Sequence, residues 1–174
     1  LVLTGKEGSS APRIDAATAA ALIKDGAGWV RHDRNSFYGA LSEAELLKRL
    51  DSWSPIVRER AAHALARREA AAPIQALKSK LTSSSLYARL GACQALVRLG
   101  PKAAPALPAL RAALKAEDLW LRVKAAEAIA AMGEAGAPAL PKLLERLTHG
   151  ASEEDPRGME QRFLAFAVFE KMLD

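Results

Sequence analysis

Three arginines set the frame of this chain. Arg58, Arg89 and Arg122 stand 31 and 33 residues apart, and each is followed by the same pattern. Three residues on come Ala61, Ala92 and Ala125, then Ala62, Cys93 and Ala126, then Ala64, Ala95 and Ala128, and at the seventh place Leu65, Leu96 and Ile129. Self-similarity at an interval of this size marks a stacked supersecondary unit, so it constrains the fold before any single element is read. Small residues at the third, fourth and sixth places, with a large apolar one at the seventh, form one stripe of a helix. A stripe so poor in bulk lets a neighbouring helix approach closely.

The register also runs backwards. Eight residues before each arginine stand Leu50, Leu81 and Leu114, and four before those Leu46, Leu77 and Leu110. These leucines make a second stripe on a helix of its own, so each unit reads as helix A, a turn, and helix B. Ser54-Pro55 supplies a hydroxyl cap ahead of a proline at the first helical position, and Ser85 and Asp118 occupy the equivalent cap sites. Ser42 and Glu45 form a capping box for the first helix A. Gly100 and Gly133 follow helix B where a left-handed C-terminal cap is wanted. The prolines of Ala104–Pro108 and Ala137–Pro141 then start the next helix A.

A fourth unit is altered. Leu140, Leu143 and Leu147 provide its helix A, a longer polar loop runs from His149 to Arg157, and Leu164, Ala165, Ala167 and Val168 continue helix B with Gln161 in place of the arginine. End repeats diverge because one face must close the stack. Residues 1–41 lie outside the register. Ile14 to Lys24 has a helical pattern, residues 26–41 read as a loop with aromatic anchors, and the segment is expected to cover the open end of the first repeat. The expected units are 42–72, 73–104, 105–137 and 138–174. Leu1 is not an initiator Met and no signal segment follows it, so the chain is read as a piece of a longer protein whose first residues belong to a preceding domain.

The stretch from Asp118 through Arg122, Ala125, Ala126, Ala128 and Ile129 to Gly133 resembles the HEAT-like repeats found in phycobilin lyases and in bacterial scaffold proteins. The resemblance covers residues 42–174. It implies an all-α, right-handed α-α superhelix of about four helical hairpins with a helical or loop N-terminal cap. It also implies that Asp118 opens helix B and that Arg58, Arg89 and Arg122 tie adjacent repeats together. A register one turn after a capping Ser or Asp favours the same structural hydrogen bonds over a phosphate-binding ladder.

Composition narrows the function classes. Half the residues are hydrophobic but only 5% are aromatic, which suits Ala- and Leu-rich helix packing. No apolar run approaches the roughly 20 residues that span a bilayer. The lone Cys93 excludes an internal disulfide framework, and His32, His63 and His149 lack metal-ligand spacing. No cofactor or metal is expected. The net charge of +5 is uneven: residues 43–115 carry 13 basic and 5 acidic groups, residues 116–174 carry 7 and 11.

Two surfaces stand out for function. The outward face of the B helices, on the concave side, carries Arg60, His63, Arg67, Gln94, Arg98, Lys124 and Glu127, a place for a protein or peptide partner, including an acidic one. Phe163, Phe166 and Phe169 crowd the last helix and form a candidate apolar contact surface. Trp53 and Trp120 fall in the A–B turns and read as turn anchors, not base-stacking platforms. Cys93 takes a small-residue packing site and reads as an inert thiol. The expectation is a non-enzymatic protein-interaction scaffold module of a larger protein, with no catalytic residues. Its alternative is a nucleic-acid-binding HEAT-like domain of the DNA-glycosylase kind, using the basic middle repeats. A chromophore lyase is suggested by the family resemblance alone and has no residue to recommend it. The compartment is left open.

Overall fold

The structure, a computed structural model, describes residues 38–68, 73–148, 155 and 158–171, the last four of these in backbone only. The described residues are helical throughout, without a strand. After a single turn at Tyr38–Ala40 come four hairpins. The A helices are α1 (Glu43–Arg49), α3 (Ile74–Leu81), α5 (Leu107–Ala113) and α7 (Leu140–Thr148). The B helices are α2 (Pro55–Ala66), α4 (Leu86–Leu99), α6 (Leu119–Ala130) and α8 (Met159–Lys171). Each A helix packs on its own B helix. The B helices also pack one on the next, α2 on α4, α4 on α6 and α6 on α8, so the hairpins stack into a two-layered helical solenoid.

The repeated positions are the core. The alanines, Cys93 and the large residues of the B-helix stripe are all buried, as are Leu46, Leu50, Leu77, Leu81, Leu110 and Leu114 of the A helices. In the fourth hairpin Leu143, Leu164 and Ala167 are buried. Leu164 and Ala167 are the third and sixth residues after Gln161, so the shared register passes through that glutamine. Gly91 marks a close approach between the first two hairpins: a Cβ there would stand 2.1 Å from the backbone oxygen of Leu50.

Local chemistry explains most helix ends. Glu45 N–H donates to Ser42 Oγ (3.2 Å) and Ser42 N–H to Glu45 Oε2 (2.8 Å), closing the capping box. Ala88 N–H donates to Ser85 Oγ (3.3 Å) and Leu121 N–H to Asp118 Oδ1 (2.8 Å). Ser54 departs from expectation and makes no side-chain cap, although Pro55 at the first helical position has already removed one unsatisfied N–H. Gly100 and Gly133 have φ of +55° and +58°. At Gly100 ψ is −130°, a region open in practice to glycine alone.

Of the prolines that follow, Pro108 and Pro141 do open helix A, at the second position of α5 and α7, whereas Pro105 and Pro138 fall in the turn of helix before it. Gly100–Ala106 and Gly133–Ala139 are 3-10 segments containing Pro105 and Pro138, and α5 and α7 start only at Leu107 and Leu140. A proline has no N–H to give to an α-helical ladder, and a short tighter helix tolerates that. Of the expected N-terminal cover, residues 1–37 lie outside the described residues. Within its remainder, Tyr38 is buried in the core of the first hairpin, with the Arg49 guanidinium 5.5 Å from its ring centroid.

Candidate interaction surface

The aligned arginines are stationed on the first turn of each B helix, and two of them bridge hairpins. Arg58 Nη1 donates to the turn carbonyls of Ser52 (2.7 Å) and Trp53 (2.9 Å), and its Nε donates to Gln94 Oε1 (3.0 Å) on α4. Arg122 repeats the arrangement: Nη1 donates to Ala116 O and Glu117 O, while Nε and Nη2 grip the Glu160 carboxylate of α8. Arg146 of α7 binds the same carboxylate at 2.5–2.8 Å. Burial pushes the Glu160 carboxyl up, but the hydrogen bonds and charges of the two guanidiniums outweigh it and hold its pKa below the ordinary value. Asp155, also buried, accepts from Glu160 N–H at 2.6 Å and so caps α8.

Arg89 is different. Its Nε is buried and meets no hydrogen-bond partner. By register its acceptor would be Glu127, the counterpart of Gln94, but Glu127 is held by Lys124 at 2.7 Å.

At least four of the seven residues proposed for the B-helix face are engaged in hydrogen bonds or ion pairs within the fold. Gln94 accepts from Arg58, Arg98 pairs with Glu59 (2.9 Å) and Lys124 pairs with Glu127. Arg60 and His63 are half-buried and Arg67 is exposed near the far end of α2. Gly91, which shares the register of Arg60 and Lys124, is buried between hairpins and presents nothing to solvent. Cys93 is fully buried. Burial, reinforced by the nearby Glu127, pushes its thiol up to about 12 against the smaller opposing pull of Lys124 and Arg89, so it is no nucleophile at neutral pH.

The most exposed apolar side chains lie elsewhere. Trp53 is 76% exposed and Trp120 47%, so neither anchors its turn. Trp120 belongs to a column in the register: two residues before the arginine stand Ile56, Tyr87, Trp120 and, before Gln161, Met159. Ile56 is 59% and Tyr87 46% exposed, and Met159 is partly so. Each occupies the first turn of its B helix, where side chains lean toward the N-terminus and over the A–B turns. The column is joined at two points. The Arg58 guanidinium lies 5.7 Å from the Tyr87 ring centroid. The Trp120 and Phe163 rings meet edge to face, with centroids 5.9 Å apart. At the α8 end, Met159, Arg162, Phe163 and Phe166 line a hollow of about 420 Å³. Phe163 is half-buried and Phe166 exposed, while the Phe169 side chain lies outside the described residues.

A second hollow, about 420 Å³, opens on the A-helix layer between Pro108, Arg111, Ala112, Lys115 and Lys142. Lys142 is occupied by Glu145 at 2.6 Å. Among the described residues no three His, Cys, Asp or Glu side chains come together as a metal site would require, and no helix is long and apolar enough to cross a membrane.

The model of the HEAT repeats family matches residues 43–107 and again 74–157, well over half the chain. The chain belongs to the HEAT-repeat family. The first match takes in the first two hairpins whole, α1 to α4, and the second takes in α3 to α7, so each window holds at least two stacked HEAT units. A search of curated proteins found no match. HEAT repeats commonly serve as protein-interaction scaffolds, and among the described residues of this HEAT domain the turn-edge column, the neighbouring Trp53, Leu144 and the α8 hollow expose large apolar side chains.

Proposed function

We propose that this chain is a non-enzymatic interaction module, a HEAT scaffold that binds a protein partner along the edge where its B helices begin. The observation that carries this reading is the column Ile56, Tyr87, Trp120 and Met159, large apolar side chains held toward solvent at one register position of successive repeats. Aromatic side chains left exposed on a rigid element provide contact area at low entropic cost, and they dominate interface energetics. The B-helix face with Arg60, His63, Arg67 and Lys124 is a secondary contact region. Lys124 is already paired with Glu127 and Arg98 with Glu59, so these charges add orientation more than affinity.

Nucleic-acid binding draws support from one observation. Trp53 and Tyr87 are exposed within the basic segment, and bases stack on such rings. Against it, the cations of that segment are dispersed. Lys48, Arg49, Lys78 and Lys80 end the A helices, whereas Arg67, Arg68 and Arg98 stand at the opposite ends of the B helices. Only the A-helix cations share the turn edge with the rings, and there Lys80 is already paired with Asp51 at 2.6 Å.

The test compares partner sets captured by the wild-type chain, by Tyr87→Ser/Trp120→Ser and by Arg60→Glu/Lys124→Glu. Loss of partners with the first variant supports the turn-edge reading. Loss only with the second moves the interface to the B-helix face, and unchanged sets with both variants reject the scaffold surfaces proposed here.

A further inference from the structure

The column has a spacing, a polarity and one unpaired charge, and together they describe an occupant. Packed helix axes generally lie about 8–10 Å apart, which sets the expected interval between rungs on successive B helices. A polyproline-II segment has three residues per turn and rises about 3.1 Å per residue, which returns a side chain to the same face every ~9 Å. A β-strand returns one about every 6.6–6.8 Å and falls out of step within two rungs. An α-helix returns to one face after seven residues, about 10.5 Å, but its carbonyls are consumed by its own ladder.

That last difference matters because the rungs carry donors. Neither the Trp120 indole N–H nor the Tyr87 hydroxyl bonds to a described residue. The carbonyls of a polyproline-II chain are unpaired and can accept from them. At the α8 end, Arg162 lines the apolar hollow, is exposed and makes no ion pair among the described residues. At the Trp120 rung the sign reverses, since Glu117 and Asp118 immediately precede that helix turn. A uniformly charged polyanion is therefore repelled at one rung, whereas a segment with a single carboxylate near Arg162 is matched at both.

We infer that the ridge of Tyr87, Trp120, Met159 and Phe163 receives an extended polyproline-II segment of a partner protein. The segment carries proline or a compact apolar residue at every third position and a carboxylate that meets Arg162. The inference rests on the turn-edge reading of function and names the partner class for it.

The experiment titrates the full 174-residue chain with a synthetic peptide bearing proline at every third position and a glutamate beside the last, followed by calorimetry and tryptophan fluorescence. Comparison ligands are the same composition scrambled, an amphipathic helical peptide and oligothymidylate. The patterned peptide is expected to bind at least tenfold more tightly than the scrambled one. Trp120→Ser is expected to weaken it at least tenfold, and Arg162→Glu to weaken it until the peptide glutamate is exchanged for lysine. The replaced side chains are exposed or line an open hollow, and thermal melts of each variant separate lost binding from lost folding. Equal binding of the scrambled or helical peptide, or no binding of the patterned one, overturns the inference. Tighter binding of oligothymidylate that falls steeply with salt overturns it in favour of nucleic acid. If the patterned peptide fails while Trp120→Ser still removes a captured partner, the segment class is wrong and the turn-edge interface stands.

Discussion

Arg122 and Glu160 lie 38 residues apart in sequence and 2.7 Å apart in the fold, a buried guanidinium–carboxylate pair joining the third B helix to the fourth. Arg146 approaches the same carboxylate from α7, so one acidic side chain binds the last hairpin to itself and to its neighbour. Removing that carboxylate leaves two cations facing each other without their counter-charge. Glu160→Ala is expected to destabilise the chain by about 3–5 kcal/mol, as for a buried pair deprived of one partner. Urea unfolding measures it, and a loss below 1 kcal/mol would mean the clamp does not carry the hairpin.

The same pair predicts a pH dependence. The folded pKa of Glu160 lies below its unfolded value of about 4.3. Its contribution is therefore complete above that value and is lost as pH falls through the folded pKa. The stability difference between the wild type and Glu160→Gln should hold steady near neutrality and shrink in acid. A difference that stays constant down to pH 2 would contradict the assignment.

Arg58 and Arg89 occupy the same register with different surroundings, so equal substitutions should have unequal effects. Arg58→Met loses three hydrogen bonds and strands Gln94, an expected cost of about 1–3 kcal/mol. Arg89→Met removes a buried Nε that has no partner and is expected to be near neutral or stabilising. Chemical denaturation of the two variants side by side decides the matter, and equal losses would refute the distinction.

Gly91→Ala places a methyl 2.1 Å from Leu50 O, a backbone atom with no rotamer to yield. Overpacking of this kind costs about 1–3 kcal/mol or more, and a drop in Tm is the expected readout. An alanine tolerated there without loss would show that the first two hairpins are less closely apposed.

Cys93, fully buried with its thiol near 12, should resist alkylation at pH 8 in the native protein and react once denaturant is added. Rapid native labelling followed by mass spectrometry would show that the B-helix packing around Cys93 opens readily.

The repeat register by itself determined the architecture. Alanines and leucines at fixed offsets from Arg58, Arg89 and Arg122 identify stripes that can only be buried by stacking, and every one of them is buried. Helix caps at Ser42, Ser85 and Asp118 were legible for the same reason: capping is local, and a few residues contain all its parts. The surface was not legible in this way. The column Ile56, Tyr87, Trp120 and Met159 is visible in the alignment, but large apolar residues at a helical register position ordinarily signal core. Only the stacking geometry shows that the first turn of each B helix stands at the turn edge with no described element above it. Glu160 was equally hidden, because nothing local announces that a glutamate following the polar His149–Arg157 stretch will reach Arg122 and Arg146. Periodicity encodes which faces must be covered, since burial follows from the spacing of apolar groups along one helix. Which side chains are left in solvent, and which charges meet across hairpins, depends on distances between segments far apart in sequence, and those are decided by the tertiary structure.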